Sequence, residues 1–227
     1  MTEGTRYDGH AEFYEDFVGR HGAGIVGLAT DTACALIGEG SGRCLDIGCG
    51  NGRLLPRLAA LGWEPVGIDE SEDQLRVAAE RAPGIELVRG DAAAMPFGDA
   101  SFDAAVSLLT HTDIGDFAAA IRDLQRVLKP GGRFVYVGNH PCFVGPTARH
   151  TTSGIPELSD GYRRSGWWDR DAASVTEGGL RHTLGTFAHW PLGEYLDAFA
   201  GLRLDAAAEP DDGDPYPKLL ALSFTRL

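Results

Sequence analysis

The sequence is short of basic residues, of paired cysteines and of long apolar runs, and each shortage excludes something. Lys and Arg number 20 against 33 Asp and Glu, a net charge of −13. A partner gripped mainly through phosphates needs clustered cations, so nucleic acid is not expected as a partner. The four cysteines, Cys34, Cys44, Cys49 and Cys142, include no Cys-x-x-Cys pair. A zinc site or disulfide framework is therefore not expected, and no metal is assigned. Cys44 and Cys49 read as small core residues in a reducing cytoplasm. No apolar run reaches the roughly 18–20 residues that cross a membrane. The first residues, MTEGTRYDGHAEFYEDF, lack the basic and apolar regions of a secretory leader. The expectation is a cytoplasmic protein with no membrane partner, a monomer or homodimer.

What is present is the composition of a packed domain: 43% hydrophobic and 23% charged residues in 227, enough for one domain over 1–227. Short apolar runs alternate with helical patterns. Arg43–Ile47, Pro65–Ile68, Ile85–Arg89, Phe102–Leu108 and Arg133–Val137 read as strands. Helices are predicted over Gly52–Leu61, Glu72–Arg81 and Asp116–Leu128, the last with Phe117, Ala120, Ile121, Leu124 and Leu128 on one face. Lys129-Pro130-Gly131-Gly132 stops it. Strand–helix alternation gives a doubly wound α/β fold with a mostly parallel sheet. After a helix over Leu192–Phe199, the runs Leu202–Ala207 and Lys218–Thr225 have no helix between them and should form an antiparallel edge hairpin. Residues 1–40 are expected to form a helical cap, and the irregular stretch 139–191 a lid or acceptor-binding insertion.

The sharpest feature is Asp46-Ile47-Gly48-Cys49-Gly50-Asn51-Gly52, between a strand and a helix. Gly48 permits a tight turn and Gly50 lets backbone approach a ligand. Asp69 ends the second strand, and a carboxylate there can accept both hydroxyl hydrogens of a ribose. Asp91 follows the third strand, where an acid can receive the exocyclic amine of adenine while Ala92 offers its N–H. Three acids thus end three successive strands, at the edge where open α/β sheets bind ligands. A dinucleotide fingerprint would put its third glycine at position 53, which is Arg.

The segments LDIGCGNG (45–52), VGIDES (66–71), GDAAAMPFGDASFDAAVS (90–107) and LKPGGRFVYV (128–137), in this order, resemble a class I S-adenosylmethionine (SAM)-dependent methyltransferase of the small-molecule type. The resemblance implies a Rossmann-like sheet of seven strands and SAM as cofactor, leaving S-adenosylhomocysteine as product. It implies that Gly48, Cys49 and Gly50 carry the methionine part and that Asp46 lies near its ammonium. It gives Asp69, with Glu70 beside it, the ribose, Asp91 and Ala92 the adenine, and Leu108 a place bordering the cofactor. Tyr7-Asp8-x-x-Ala11-x-x-Tyr14 resembles a segment that closes over SAM, with Tyr14 toward the carboxylate.

The implied reaction is methyl transfer to a small-molecule acceptor on oxygen, nitrogen or carbon. The methyl must be held about 3–3.5 Å from the nucleophile. His111, after the fourth strand, and His140, after the fifth, are the candidate general bases. Asn139, Trp167, Trp168 and His189 are candidate acceptor contacts, with His150 and His182 in the same variable stretch. Two alternatives remain: another attack on the sulfonium, such as cyclisation of SAM's own aminobutyrate arm with release of methylthioadenosine, and a SAM-binding module without catalysis.

Overall fold

One sheet runs through the molecule, built from β1 (Arg43–Ile47), β2 (Glu64–Asp69), β3 (Glu86–Arg89), β4 (Phe102–Leu108), β5 (Leu128–Asn139), β6 (Leu202–Ala208) and β7 (Leu219–Arg226). The computed structural model describes residues 5–149, 155–169, 171, 172, 174, 175, 177 and 179–227; His150 lies outside them. The strand order is β6-β7-β5-β4-β1-β2-β3. Strands β1 to β5 pair in parallel, and β7 runs antiparallel between β5 and β6. The order reverses between β1 and β4, and that switch opens a crevice beyond the strands' carboxyl ends.

Strand alternation sorts the core into two layers. On β5, Phe134 and Tyr136 join an aromatic layer beneath α5 (Phe117–Val127) and α7 (Leu192–Asp197). Val135 and Val137 join a small-residue layer beneath α2 (Ala23–Ile37) and α3 (Leu55–Ala60). Helix α4 (Glu72–Arg81) follows β2, and its N-cap Ser71 accepts from Gln74 N at 3.3 Å. At the start of α5, Asp116 Oδ1 accepts from Ala119 N at 2.8 Å.

Several boundaries differ from the sequence reading. Helix α3 begins at Leu55, not Gly52, because Pro56 lacks an N–H and suits only a first helical turn. Strand β5 begins at Leu128, which pairs with Phe102, and the ladder shifts register across the Lys129–Gly132 turn. The N-terminal region divides. Helix α1 (Ala11–Phe17) packs against α4 and runs through a π-helical turn (Val18–Gly22) into α2, which buries Ala29, Ala33 and Ile37 against the sheet and is a core helix. The stretch after β5, expected to be irregular, is tied down by two short antiparallel pairs, Ala148–Arg149 with Glu157–Leu158 and Gly166–Trp168 with Phe187–His189, and by α6 (Leu180–Leu184).

Candidate active site

The glycine loop folds back on the neighbouring strand. Gly48 N and Cys49 N both donate to Ile68 O, at 2.9 and 3.0 Å. Gly48 has φ of 68°, and a Cβ there would lie 2.5 Å from Thr110 Cγ2, so both conformation and space demand glycine. Gly50 has φ of 50° and donates its N–H to Asp69 Oδ2 at 2.9 Å; the other carboxylate oxygen accepts from Ser71 N, also at 2.9 Å. Asp69 thereby clamps the loop of β1 to the start of α4.

Above the loop is a cleft of about 380 Å³. It is bordered by Tyr14, Asp46, Gly48, Cys49, Gly50, Asp69, Glu70, Asp91, Ala92 and Leu108, so one space gathers every residue assigned to the cofactor from sequence. Asp46 is 1% exposed, and its Oδ2 has no hydrogen-bond partner. Burial, and then the nearby Asp69 carboxylate, push its pKa up to about 7. Burial raises Asp69 as well, against the N–H groups of Ser71 and Gly50 that favour its charge. Burial and then Asp69 raise Glu70. Asp91 Oδ1 accepts from Ala93 N at 2.8 Å.

Gln74 also borders the cleft, 2% exposed, with neither amide atom hydrogen-bonded. Ser71-x-x-Gln74 has the spacing of a helix capping box, in which the glutamine would return to the N-cap N–H. Here Asp69 already holds that N–H, which leaves the amide free. A buried polar atom without a partner is costly, so orphans gathered around one cleft point to a ligand that satisfies them.

The N-terminal segment roofs the cleft. Asp8 Oδ1 accepts from Ser71 Oγ at 2.7 Å, and Gly9 N donates to Asp73 Oδ2 at 2.5 Å. Glu15 on α1 accepts from Arg53 at 2.8 Å, from Arg81 at 2.7 Å and from Asn51. Tyr7 and Tyr14 meet edge to face, centroids 5.6 Å apart. Behind them Asp113 is paired with Arg181 at 2.7 Å and with Arg6 at 3.3 Å. Burial pushes the Asp113 carboxyl up, but Arg181 and Arg6 together hold it below the usual range. Arg6 also lies over Trp167, which borders the cleft, at 4.3 Å.

Five assigned residues lie elsewhere, and their places correct the expectation that they face the cleft. His111 does not border it: the ring is 3% exposed, its Nδ1 is hydrogen-bonded to Tyr136 Oη, and it packs among Phe117, Tyr136 and Tyr195. Burial pushes its pKa down to about 3. His140 is turned away, Nε2 to Glu209 at 2.9 Å and Nδ1 accepting from Cys142 N at 3.2 Å. His189 is buried with Nε2 on Tyr162 O at 2.9 Å. Trp168 lies under Arg164 at 4.4 Å, and Asn139 ends β5 outside the lining. For Trp167 and Trp168, neighbours on one strand, alternation is the reason: they point to opposite faces and cannot share one wall.

Sequence reasoning missed Arg6, Arg53, Gln74, Thr110 and Asp113, all at the cleft. Thr110 shares a 2.5 Å hydrogen bond with Ser107 directly under Gly48. Leu109 offered a signal only in the backbone, where it takes φ of 59° as a non-glycine residue on the lining.

Residues 45–136 match a family described as "Methyltransferase domain". A demethylmenaquinone methyltransferase from Renibacterium salmoninarum is 36% identical over 52% of this chain and 49% of its own. An O-methyltransferase from Penicillium expansum is 32% identical over 66% of this chain and 59% of its own. The chain thus spans about half the length of the curated relatives it matches. The crystal structure of an S-adenosylmethionine-dependent methyltransferase from Mesorhizobium loti superposes with a TM-score of 0.70 at 26% identity, covering 86% of this chain and 96% of that one. The strand order, the glycine turn and the acids at the carboxyl edge agree with these likenesses, which make the chain similar to class I SAM-dependent methyltransferases.

Proposed function

We propose that this protein transfers the methyl group of SAM to a small-molecule acceptor. The observation that carries the reading is the pairing of a cleft-facing glycine turn with buried polar atoms that lack partners, Asp46 Oδ2 and the Gln74 amide. Those groups fit SAM. The backbone of Gly48 to Gly50 would lie along the methionine arm, and Asp46 would take its ammonium. Asp69 and Glu70 would take the ribose hydroxyls, and Asp91 and Ala92 the adenine edge. Bound SAM supplies a methyl already activated on a sulfonium.

What remains for the chain is to orient the reactants and keep water out. The α1 segment, Tyr7, Tyr14 and Trp167 do this by closing over the cleft. Neither His111 nor His140 is given a proton-transfer role, since both rings are engaged away from the cleft. The reading therefore favours acceptors whose nucleophile ionises readily, such as a phenol or a stabilised carbon acid. The four free cysteines fit a reducing compartment such as the cytoplasm. Among the described residues, no helix is long and apolar enough to cross a membrane.

Incubation with methyl-labelled SAM and a panel of phenols, quinols and amines should give a labelled product and S-adenosylhomocysteine. No binding of SAM by calorimetry would overturn the reading. Methylthioadenosine as sole product would move it to attack by SAM's own arm.

A further inference from the structure

Arg53 and Arg81 share a single carboxylate, Glu15, at 2.8 and 2.7 Å. The trio leaves one positive charge unbalanced. Arg81 uses its other donors on Asn51 O at 2.6 Å and on Glu15 Oε1 at 3.2 Å, and it does not border the cleft. Arg53 does border it, and its Nε–H is buried with no acceptor. Among the described residues, Arg6 is the other cation on the lining, and it is engaged: it donates to Thr186 O and Asp113 O, both at 2.6 Å, and faces the Asp113 carboxylate. The remaining charged groups on the lining, among the described residues, are acids.

A buried donor on an unbalanced cation calls for an anion. The only anion that a SAM-like ligand carries is the carboxylate of its amino-acid arm. Seven positions earlier on the same turn, Asp46 Oδ2 lacks the opposite partner. One missing anion and one missing cation beside one loop describe the zwitterion of an α-amino acid. Resting on the cofactor reading above, we propose that Arg53 receives the carboxylate of the cofactor's amino-acid arm.

The test compares two ligands in calorimetry. S-adenosylhomocysteine carries the arm; methylthioadenosine keeps the adenosine and sulfur but lacks it. Arg53→Gln should weaken S-adenosylhomocysteine by about 10- to 100-fold, the scale of one hydrogen-bonded charge, and leave methylthioadenosine unchanged. Arg53→Lys should restore part of the loss. Glu15→Gln separates this from a merely structural role: it breaks the same ion pair from the other side, so the preference for S-adenosylhomocysteine should hold or rise. Equal weakening of both ligands in Arg53→Gln, or loss of the preference in Glu15→Gln, would overturn the assignment, as would no change at all. Binding of neither ligand by the unaltered protein would overturn the cofactor reading with it. Melting curves confirm that each variant is folded.

Discussion

The carboxyl ends of β1 and β2 and those of β4 and β5 lie along one sheet edge, yet they treat polar side chains in opposite ways. At β1 and β2, Asp46 and Gln74 are buried and unsatisfied, and each oxygen of Asp69 accepts one loop N–H and has a lone pair left for a further donor. At β4 and β5, the histidines that looked chemical are buried and satisfied, His111 by Tyr136 and His140 by Glu209 and the Cys142 N–H. Both pairs lie at or just past the carboxyl ends of parallel strands, so position along the edge does not separate them. What separates them is whether the protein itself completes their hydrogen bonds. On the cleft lining, a buried polar group left without a partner is where a ligand can complete the hydrogen bonds.

The largest break in this contrast should come from Asp69→Ala, which strips Gly50 N and Ser71 N of their acceptor and removes the proposed ribose contact. Affinity for S-adenosylhomocysteine should fall by about 100-fold or more, since hydrogen bonds to a charge are each worth about 1.5–3 kcal/mol. An unchanged dissociation constant would end the reading of this edge. Next comes Gly48→Ala. Its positive φ and the 2.5 Å approach to Thr110 should together cost about 2–4 kcal/mol, read from denaturant unfolding.

Asp46→Asn sharpens the contrast through pH. With a pKa of about 7 in the ligand-free fold against 3.8 in an unfolded chain, Asp46 stabilises the protein fully below pH 3.8 and loses that contribution as pH climbs through 7. The Asn variant has no charge to bury, so it should melt higher than the original at pH 8, by about 2–4 °C for each kcal/mol relieved. Binding should move the other way. The proposed ammonium contact needs the carboxylate, so the original protein should gain about tenfold in S-adenosylhomocysteine affinity between pH 6 and 8, and the variant should stay flat. Smallest is His140→Gln, where the ring is satisfied away from the cleft: turnover should change less than about threefold. A drop of 100-fold would return His140 to the chemistry.

The sheet was legible because its signals are local. RCLDI, FDAAVSL and RFVYV carry their burial in their own composition, and the Gly48 turn carries its geometry in residues that no other type can replace. That Asp46, Asp69 and Asp91 border the cleft was legible because a strand end fixes where they must be. The histidines were not, because the facing of a side chain just past a strand depends on how the exit loop bends, and no local pattern encodes that. Gln74 was hidden by a second meaning: its spacing from Ser71 reads as a helix cap until Asp69 is seen holding the N–H that the cap would use. Arg53, Glu15 and Arg81 come from three separate elements, and their shared charge exists only after the chain has folded.

The clasp that Glu15 makes has a consequence for timing. The same helix that roofs the cleft is bolted to the cofactor turn through Asn51 and Arg53 and to α4 through Arg81, while Asp8 and Gly9 fasten the preceding segment. For the roof to lift off a molecule seated beneath, several of these fastenings would have to let go together. On the proposed reaction, departure of the spent nucleoside, rather than the methylation step, would then set the pace of the catalytic cycle.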